Sequence, residues 1–241
     1  MSFIPLPGRP RPMALDARSY GRRRALVQIA GAVVSGAALA IGRKIEPAAA
    51  AAPVKIVALG DSLTAGYGLP EQAGFVPRLR AALSANGADA EVANAGVSGE
   101  TASDGLARLD WSVPAGTDAV IVELGANDML RGFKPEITRD ALDAILRRLT
   151  ERHIAVLLCG MRAAPNLGAE YGQAFDTVYA ELAAKYGVLL YPFFLDGVAA
   201  DLTLTQPDGL HPNAKGVDVI VGRILPKVEE LIARVHASHP L

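Results

Sequence analysis

The chain has 241 residues and a formal net charge of −1, from 24 Lys and Arg against 25 Asp and Glu. Its first 52 residues hold eight of these basic and two of these acidic side chains, which leaves 16 basic against 23 acidic groups in the rest. An acidic chain without basic runs argues against a nucleic-acid partner, because binding phosphates requires clustered positive charge. The chain has a single cysteine, Cys159, so it can form no internal disulfide.

The first 52 residues have the composition of an export signal. Three arginines at 22–24 precede a moderately apolar segment, 25–41, and an alanine-rich stretch then provides small residues for a signal peptidase. The paired arginines favour the twin-arginine variant, although general export also remains open. An uncleaved anchor is the alternative, but the apolar segment is shorter than the about 20 residues that a membrane-spanning helix requires. We predict an export signal at 1–52 and a monomeric, periplasmic or secreted domain at 53–241, without stable membrane insertion after the signal is removed.

From residue 53 onward, apolar runs alternate with helical patterns along the chain. These patterns predict, in order, strand 54–59, helix 75–87, strand 88–95, helix 103–109 with Ser103 as its N-cap, strand 117–124, helix 135–153, strand 154–161, helix 171–187, strand 188–194 and helix 213–235. Continuous Val, Ile and Leu runs are typical of strands covered on both faces, hence of a parallel sheet between two helical layers. We therefore predict one α/β domain that binds its ligand at the carboxyl ends of the strands.

Polar or glycine-rich loops follow four of the predicted strands. Ser62 follows the first strand, Gly96 the second and Asn127 the third, while Asp208 and His211 lie in the loop that follows the fifth. Because the carboxyl ends of parallel strands share one edge of a sheet, these residues should converge there. They supply a hydroxyl, backbone N–H groups, an amide, an imidazole and a carboxylate, which are the groups needed for acyl transfer by a serine nucleophile.

Each of these groups has a definite role in that chemistry. A serine hydroxyl is a weak nucleophile until a base takes its proton, and His211 is the candidate base, oriented by Asp208 three residues earlier. The tetrahedral intermediate carries an oxyanion, for which the Ser62 N–H, the Gly96 N–H and the Asn127 side-chain amide are the candidate donors. Glycine at position 96 also allows close approach of the backbone, which a Cβ would hinder.

The four blocks resemble those of the GDSL, or SGNH, hydrolases, named for a Ser, Gly, Asn and His. Here these are Ser62 in GDSL, Gly96 in NAG, Asn127 in GAND and His211 in DGLHP, in the family's order, and the resemblance covers Lys55 to Val235. The blocks VELGANDMLRGF and DGLHPN are most similar to the periplasmic branch of acyl-CoA thioesterase I, lysophospholipase and arylesterase.

The resemblance implies both a fold and an activity. The fold is a flavodoxin-like three-layer α/β/α sandwich with a five-stranded parallel sheet. The activity is that of a serine esterase without cofactor or metal, which hydrolyses acyl esters, acyl thioesters or lysophospholipids through an acyl-enzyme on Ser62. In this branch, loops that correspond to those after the third and fourth strands shape an apolar groove. The candidate substrate-binding residues are therefore Met129, Leu130, Phe133, Met161 and Leu167, although Leu130, Phe133 and Leu167 could equally just cap the sheet.

Several alternatives remain open. The same blocks occur in enzymes that remove acetyl groups from carbohydrates, and an SGNH-like domain could also bind a lipid or glycan without turnover. Asp208 and His211 could ligate a metal, but the remaining histidines form no cluster with them, so we expect no metal. The turn 66–68 lacks the G-x-G-x-x-G pattern and a P-loop lysine, which argues against a phosphate site.

Overall fold

A parallel sheet forms the centre of the computed structural model, which describes residues 52–238. The predicted signal therefore lies outside the described residues, apart from Ala52. Five strands make up the sheet in the spatial order β2-β1-β3-β4-β5. They are β1 (Val54–Gly60), β2 (Ala90–Gly96), β3 (Ala119–Glu123), β4 (Ala155–Cys159) and β5 (Leu189–Tyr191).

Eight α-helices connect or follow the strands of the described chain. They are α1 (Ser62–Ala65), α2 (Phe75–Ala85), α3 (Ala102–Ala107), α4 (Leu109–Ser112), α5 (Ala126–Leu130), α6 (Pro135–Glu151), α7 (Ala169–Tyr186) and α8 (Ala214–Ser238). Helices α2 and α8 pack together in one layer, while α6 packs against α3 and α7 in the other. Helices α8 and α6 both contact β4, so the sheet lies between two helical layers. This confirms the predicted three-layer sandwich with its five-stranded parallel sheet.

The centre of the sheet is buried on both faces, whereas its β2 edge is not. All five residues of β3 are buried, and so are all but Lys55 in β1. In β2 only Val92 is buried, because this strand has no neighbour on one side. The buried free thiol of Cys159 closes β4, in agreement with the apolar run that contains it. Among residues 52–238, no helix has the length and apolar character to cross a membrane.

Three local features differ from the sequence-based prediction. The N-cap of α3 is Thr101 and not Ser103, because Thr101 and Asp104 form a capping box in which each side chain accepts the other's backbone N–H. Strand β5 is shorter than predicted, and Pro192, which follows it, has no N–H to continue the ladder. The stretches after β1 and β3, predicted as loops, form the short helices α1 and α5.

The carboxyl ends of the strands are aligned with one another. Gly60 at the end of β1 pairs with Gly96 of β2 and Glu123 of β3, and Glu123 in turn pairs with Cys159 of β4. The segments that leave these strands therefore begin at the same level of the sheet. The register thus brings the predicted site residues to a common edge.

Candidate active site

Ser62 lies at the start of a one-turn helix directly after β1. Asp61 caps this helix with its Oδ1, which accepts the Leu63 N–H at 3.0 Å. The helix ends at Gly66, which has φ 81° and donates its N–H to the Ser62 carbonyl at 3.1 Å. A glycine is needed at position 60, where the chain leaves β1 towards this helix, since a Cβ there would lie 2.1 Å from Thr64 Oγ1. The chain thus turns sharply out of the sheet and presents the Ser62 side chain.

The Ser62 hydroxyl, the His211 imidazole and the Asp208 carboxylate form a continuous line of hydrogen bonds. Ser62 Oγ lies 2.9 Å from His211 Nε2, and His211 Nδ1 lies 2.7 Å from Asp208 Oδ2. A carboxylate can only accept, so Nδ1 carries the imidazole proton and Nε2 accepts the Ser62 hydroxyl. This is the tautomer that a base for Ser62 requires.

Asp208 is held in the ionised form by the loop that it belongs to. Its Oδ1 accepts the backbone N–H groups of His211 at 3.0 Å and Leu210 at 2.9 Å. These two bonds, followed by the bond to the His211 ring, lower the pKa of Asp208 to about 2. Asp208 is therefore a carboxylate throughout the neutral pH range and can stabilise a positive charge on the imidazole.

The three candidate oxyanion donors differ in the hydrogen bonds that they make. The Ser62 N–H makes no hydrogen bond within residues 52–238. The Gly96 N–H donates to Asn94 Oδ1 at 2.9 Å, while Asn127 Nδ2 donates to Asp61 Oδ2 and to the Glu100 carbonyl, both at 3.0 Å. A Cβ on Gly96 would lie 2.3 Å from the Ala65 nitrogen, so this glycine is needed for close packing of β2 against α1.

Two buried acidic side chains, Asp61 and Glu123, contact the helix α1 that carries Ser62. Glu123 Oε2 accepts the Thr64 hydroxyl at 2.7 Å and the Asp61 N–H at 3.4 Å, whereas Oε1 has no hydrogen-bond partner within the described chain. Burial raises the pKa of Asp61 to about 6. Burial, and then the nearby Asp61 charge, raises the pKa of Glu123 well above its usual value. Both buried carboxyls therefore hold a proton more readily than exposed ones do.

Asp128 joins three helices at the edge of the site. Its Oδ2 accepts the Ala102 N–H at 2.8 Å, and its Oδ1 accepts the Thr138 hydroxyl at 3.1 Å. These bonds link α5, which carries Asn127, to the starts of α3 and α6. Asp128 therefore has a structural role beside the site.

A cavity of about 410 Å³ opens beside Ser62 and His211, with Asn127 also in its wall. Its lining is mainly apolar and includes three of the predicted substrate-binding residues, Met129, Leu130 and Met161. The lining does not include the other two. Phe133 follows the end of α5, where its N–H donates to the Asp128 carbonyl and its own carbonyl accepts the Tyr171 hydroxyl. Leu167 lies beyond Pro165, the last lining residue of its segment.

Part of the cavity wall comes from a segment that the sequence analysis did not consider. After β5 the chain contributes apolar side chains to the lining, namely Phe193, Leu195, Val198, Ala199 and Ala200. The signal for this wall was present, since the apolar run of the fifth strand continues through two phenylalanines beyond Pro192. Arg162, from the segment after β4, also lines the cavity, with its guanidinium carbon 5.0 Å from the centroid of the Phe193 ring.

No metal site is evident in the part of the chain that the structure describes. Residues 52–238 contain no group of three or more His, Cys, Asp or Glu side chains placed to hold a metal ion. Asp208 and His211, which the sequence left as possible ligands, are hydrogen-bonded to each other, and His211 is also hydrogen-bonded to Ser62.

Comparison with known proteins agrees with this geometry. The model of the GDSL-like Lipase/Acylhydrolase family matches residues 58–219, which contain Ser62, Gly96, Asn127, Asp208 and His211. This match covers more than half of the chain. The chain belongs to the GDSL-like lipase/acylhydrolase family.

Relatives within this GDSL family are esterases by name. An arylesterase of Vibrio mimicus is 36% identical over 193 residues, which are 80% of this chain and 92% of that protein. The thioesterase 1/protease 1/lysophospholipase L1 of Escherichia coli (strain K12) is 35% identical over 184 residues, 76% of this chain and 87% of that protein. The crystal structure of AlinE4, an SGNH-hydrolase family esterase, matches with 45% identity and a TM-score of 0.63 over 74% of this chain and 96% of that one.

These findings establish the reaction class of this GDSL family member. It is a serine hydrolase of esters and thioesters that acts on small-molecule substrates. Besides the wall after β5, the sequence analysis missed Glu123. The only signal for it was an acidic residue at the end of an otherwise apolar strand, AVIVE.

Proposed function

We propose that Ser62, His211 and Asp208 are the catalytic triad of this esterase, and that its substrates are acyl esters, acyl thioesters and lysophospholipids with medium or long acyl chains. The observation that carries the proposal is the line of hydrogen bonds from Asp208 through His211 to Ser62, at the mouth of a mainly apolar cavity. A nucleophile within 2.9 Å of its base meets the geometric requirement for general-base catalysis.

The reaction has two halves. Ser62 Oγ attacks the acyl carbonyl carbon while His211 Nε2 takes the hydroxyl proton, and the imidazolium then gives this proton to the departing alcohol or thiol. In the second half, water attacks the acyl carbon while His211 Nε2 takes a proton from it. The bond from the acyl carbon to Ser62 Oγ then breaks, the imidazolium returns the proton to Ser62 Oγ, and the carboxylic acid leaves. Asp208 keeps the Nδ1 proton in place and stabilises the imidazolium in both halves.

The oxyanion of each tetrahedral intermediate is proposed to bind the N–H groups of Ser62 and Gly96 and the amide of Asn127. The Ser62 N–H has no competing acceptor within residues 52–238, while those of Gly96 and Asn127 have acceptors at 2.9 to 3.0 Å. An oxyanion has to share or displace these acceptors. A full negative charge is a stronger acceptor than the Asn94 amide oxygen or the Glu100 carbonyl, which favours the exchange at these two acceptors. The Asp61 carboxylate is itself an anionic acceptor, so Asn127 keeps that bond and offers the oxyanion the proton that now points to Glu100.

The acyl chain is proposed to lie along Met129, Leu130 and Met161, with Phe193 and Leu195 on the other wall. Burying each methylene of the chain against such a wall is worth about 0.8 kcal/mol. This apolar lining favours an acyl chain over an acetylated sugar, whose hydroxyl groups would lose their hydrogen bonds to water there. Carbohydrate deacetylation and binding without turnover are the two outcomes that would replace the proposal.

The localisation proposed for this esterase rests on the N-terminal sequence. The basic cluster, apolar segment and alanine-rich stretch of residues 1–52 support export and cleavage, which would leave a monomeric domain from residue 53 in the periplasm or outside the cell. N-terminal sequencing of the exported protein tests this. A start within the alanine-rich stretch supports cleavage, and a start before Ala48 would indicate a retained membrane tether.

The first experiment is hydrolysis of p-nitrophenyl esters, from acetate to palmitate, by the protein and its Ser62→Ala variant. Ser84→Ala, on the exposed side of α2, is the matched control. We expect activity to peak at medium or long chains, to be unchanged in the control and to fall by about 10⁶-fold in Ser62→Ala. Activity on acetate alone would move the substrate to acetyl esters. Full activity in Ser62→Ala would show that another residue is the nucleophile.

A further inference from the structure

The turn Gly66-Tyr67-Gly68 lies against the site, although the acyl-transfer chemistry makes no use of it. The turn follows α1, and the Tyr67 N–H donates to the Ser62 carbonyl at 3.0 Å. Gly66 and Gly68 have φ values of 81° and 73°, which allow the chain to fold back at this point. The Tyr67 side chain, which is 52% exposed, packs against His211 with ring centroids 4.7 Å apart and a 41° angle between the ring planes.

Gln206 fastens this turn to the loop that carries His211. Its Nε2 donates to the Tyr67 carbonyl at 2.8 Å and to the Pro212 carbonyl at 3.0 Å. Its own backbone N–H donates to the His211 carbonyl at 2.7 Å. One residue therefore links the turn beside the nucleophile to the two consecutive residues 211 and 212.

The turn accommodates Gln206 only because position 68 is a glycine. A Cβ on Gly68 would lie 2.3 Å from Gln206 Oε1 and 3.2 Å from Gln206 Nε2, in addition to the strain of a positive φ. The glycines on either side of Tyr67 are thus both needed to place the tyrosine ring against His211. Gly66 turns the chain back after α1, and Gly68 leaves room for the side chain that holds the turn in place.

His211 needs a contact of this kind. Its loop is half-exposed, and the two hydrogen bonds at its ring nitrogens leave the ring free to rock about the line that joins them. An aromatic ring against one face limits this rocking. An aromatic face within about 6 Å also attracts a cation, so the Tyr67 ring stabilises the imidazolium that forms when His211 takes the Ser62 proton.

We propose that Tyr67 and Gln206 are positioning residues of the reaction: Gln206 fixes the turn to the His211 loop, and the Tyr67 ring holds the imidazole of His211 in line between Asp208 and Ser62. This inference rests on the proposed role of His211 as the base. It assigns a role to the Gly-Tyr-Gly sequence that follows the nucleophile helix.

The test compares Tyr67→Leu with Tyr67→Phe. The Tyr67 hydroxyl makes no hydrogen bond within residues 52–238, so phenylalanine keeps the ring and every contact that the proposal uses. We expect kcat for p-nitrophenyl butyrate to fall by about 5- to 30-fold in Tyr67→Leu, with KM within twofold of wild type. Tyr67→Phe should keep kcat within twofold. Because Tyr67 is half-exposed, both variants should unfold within a few degrees of wild type.

A second variant, Gln206→Glu, tests the link between turn and loop independently of the ring. Glutamate has the shape of glutamine, but a carboxylate oxygen then faces the carbonyls of Tyr67 and Pro212 and cannot donate to them. We expect kcat to fall by at least fivefold, again with KM within twofold, and we expect the rate of Ser62 labelling by a fluorophosphonate probe to fall in parallel.

The outcomes separate this inference from the proposed function. If Tyr67→Leu or Gln206→Glu keeps kcat within twofold of wild type, the positioning role is wrong, even when Ser62→Ala is inactive. If Tyr67→Leu raises KM and leaves kcat unchanged, Tyr67 contacts substrate and does not position the base, which also overturns the inference. If Ser62→Ala itself remains active, the proposed function fails.

Discussion

The two halves of the candidate triad are held in very different ways. Ser62 is 8% exposed and lies at the start of α1, directly after a buried strand, and the buried Asp61 and Glu123 contact this helix. Asp208 and His211 lie on a loop whose polar side chains face solvent, with 37% of the Asp208 side chain exposed. The sheet thus fixes the nucleophile, whereas the base depends on hydrogen bonds made within and beside one loop.

Asp61 and Asp208 show what this difference does to the same kind of side chain. Burial raises the pKa of Asp61 to about 6, whereas the backbone N–H groups of the exposed loop lower the pKa of Asp208 to about 2. Asp61 accepts the Leu63 N–H at the start of the helix that carries Ser62, whereas Asp208 is bonded to the His211 ring. Surroundings, not residue type, therefore decide which aspartate supports the positive imidazole and which one braces the nucleophile helix.

After the loss of Ser62 itself, the largest effect is expected from Asp208→Asn, in the exposed loop. An asparagine there can favour the wrong imidazole tautomer and cannot stabilise the imidazolium, so kcat should fall by about 10⁴-fold with little change in stability. Asp201→Asn is the matched control, because the side chain of this exposed aspartate of the same loop accepts from Thr203 through one oxygen, which asparagine retains. A loss of less than tenfold in Asp208→Asn would mean that another group orients His211.

The next largest fall in kcat is expected from Asn127→Ala, in the part of the site that contains the buried Ser62. Removing one oxyanion donor typically lowers kcat by about 100- to 1000-fold and leaves KM nearly unchanged. Asn94→Ala provides the comparison, since it removes the side chain that occupies the Gly96 N–H and should leave kcat within a few-fold of wild type. An Asn127→Ala variant with wild-type kcat and a raised KM would place Asn127 in substrate binding and not in the oxyanion hole.

The pH dependence of stability separates the two aspartates. The pKa of Asp61 is about 6 in the folded chain against an ordinary 3.8, so between these values the folded chain holds a proton that the unfolded chain has lost. This stabilisation is complete below about pH 4 and is lost as the pH rises through 6, on the order of 3 kcal/mol, with Glu123 acting in the same direction. Asp208 acts in the opposite direction and only below its ordinary pKa.

Denaturant unfolding between pH 4 and 7 measures this difference. The free energy of unfolding should fall with rising pH in wild type and fall less steeply in Asp61→Asn. The slope should be unchanged in Asp208→Asn, whose pKa shift lies outside this range. Equal slopes in wild type and Asp61→Asn would mean that Asp61 titrates as an ordinary carboxyl in the folded protein.

The smallest effect, a modest fall in Tm, is expected from removing the Asn213 hydrogen bonds that join the exposed loop to the start of α8. Asn213 donates to the carbonyls of Thr203 and Thr205, and its Oδ1 accepts the N–H groups of Lys215 and Gly216 at the start of α8. Losing such a cap costs about 1 kcal/mol, so Asn213→Ala should lower Tm by about 2 to 4 °C. Asn86→Ala, at the exposed end of α2, is the control. A fall of more than about 10 °C would show that the loop contributes to the core.

The sequence by itself determined the reaction class and the location of the site. Alternation of apolar runs with helical patterns predicted the parallel sheet, because the period and the Val, Ile and Leu content of each segment are local properties of the chain. Four blocks after four strands placed Ser62, Gly96, Asn127 and His211 at one edge, since the carboxyl ends of parallel strands necessarily meet there.

Only the tertiary structure decided how these residues are held. The burial of Glu123 against helix α1, the contact of Tyr67 with His211 and the wall formed after β5 all join segments far apart in sequence, so no local pattern could reveal them. Phe133 and Leu167 were predicted to line the cavity because they lie close in sequence to site residues, but they do not line it. Closeness in sequence does not determine which way a side chain points once a turn intervenes.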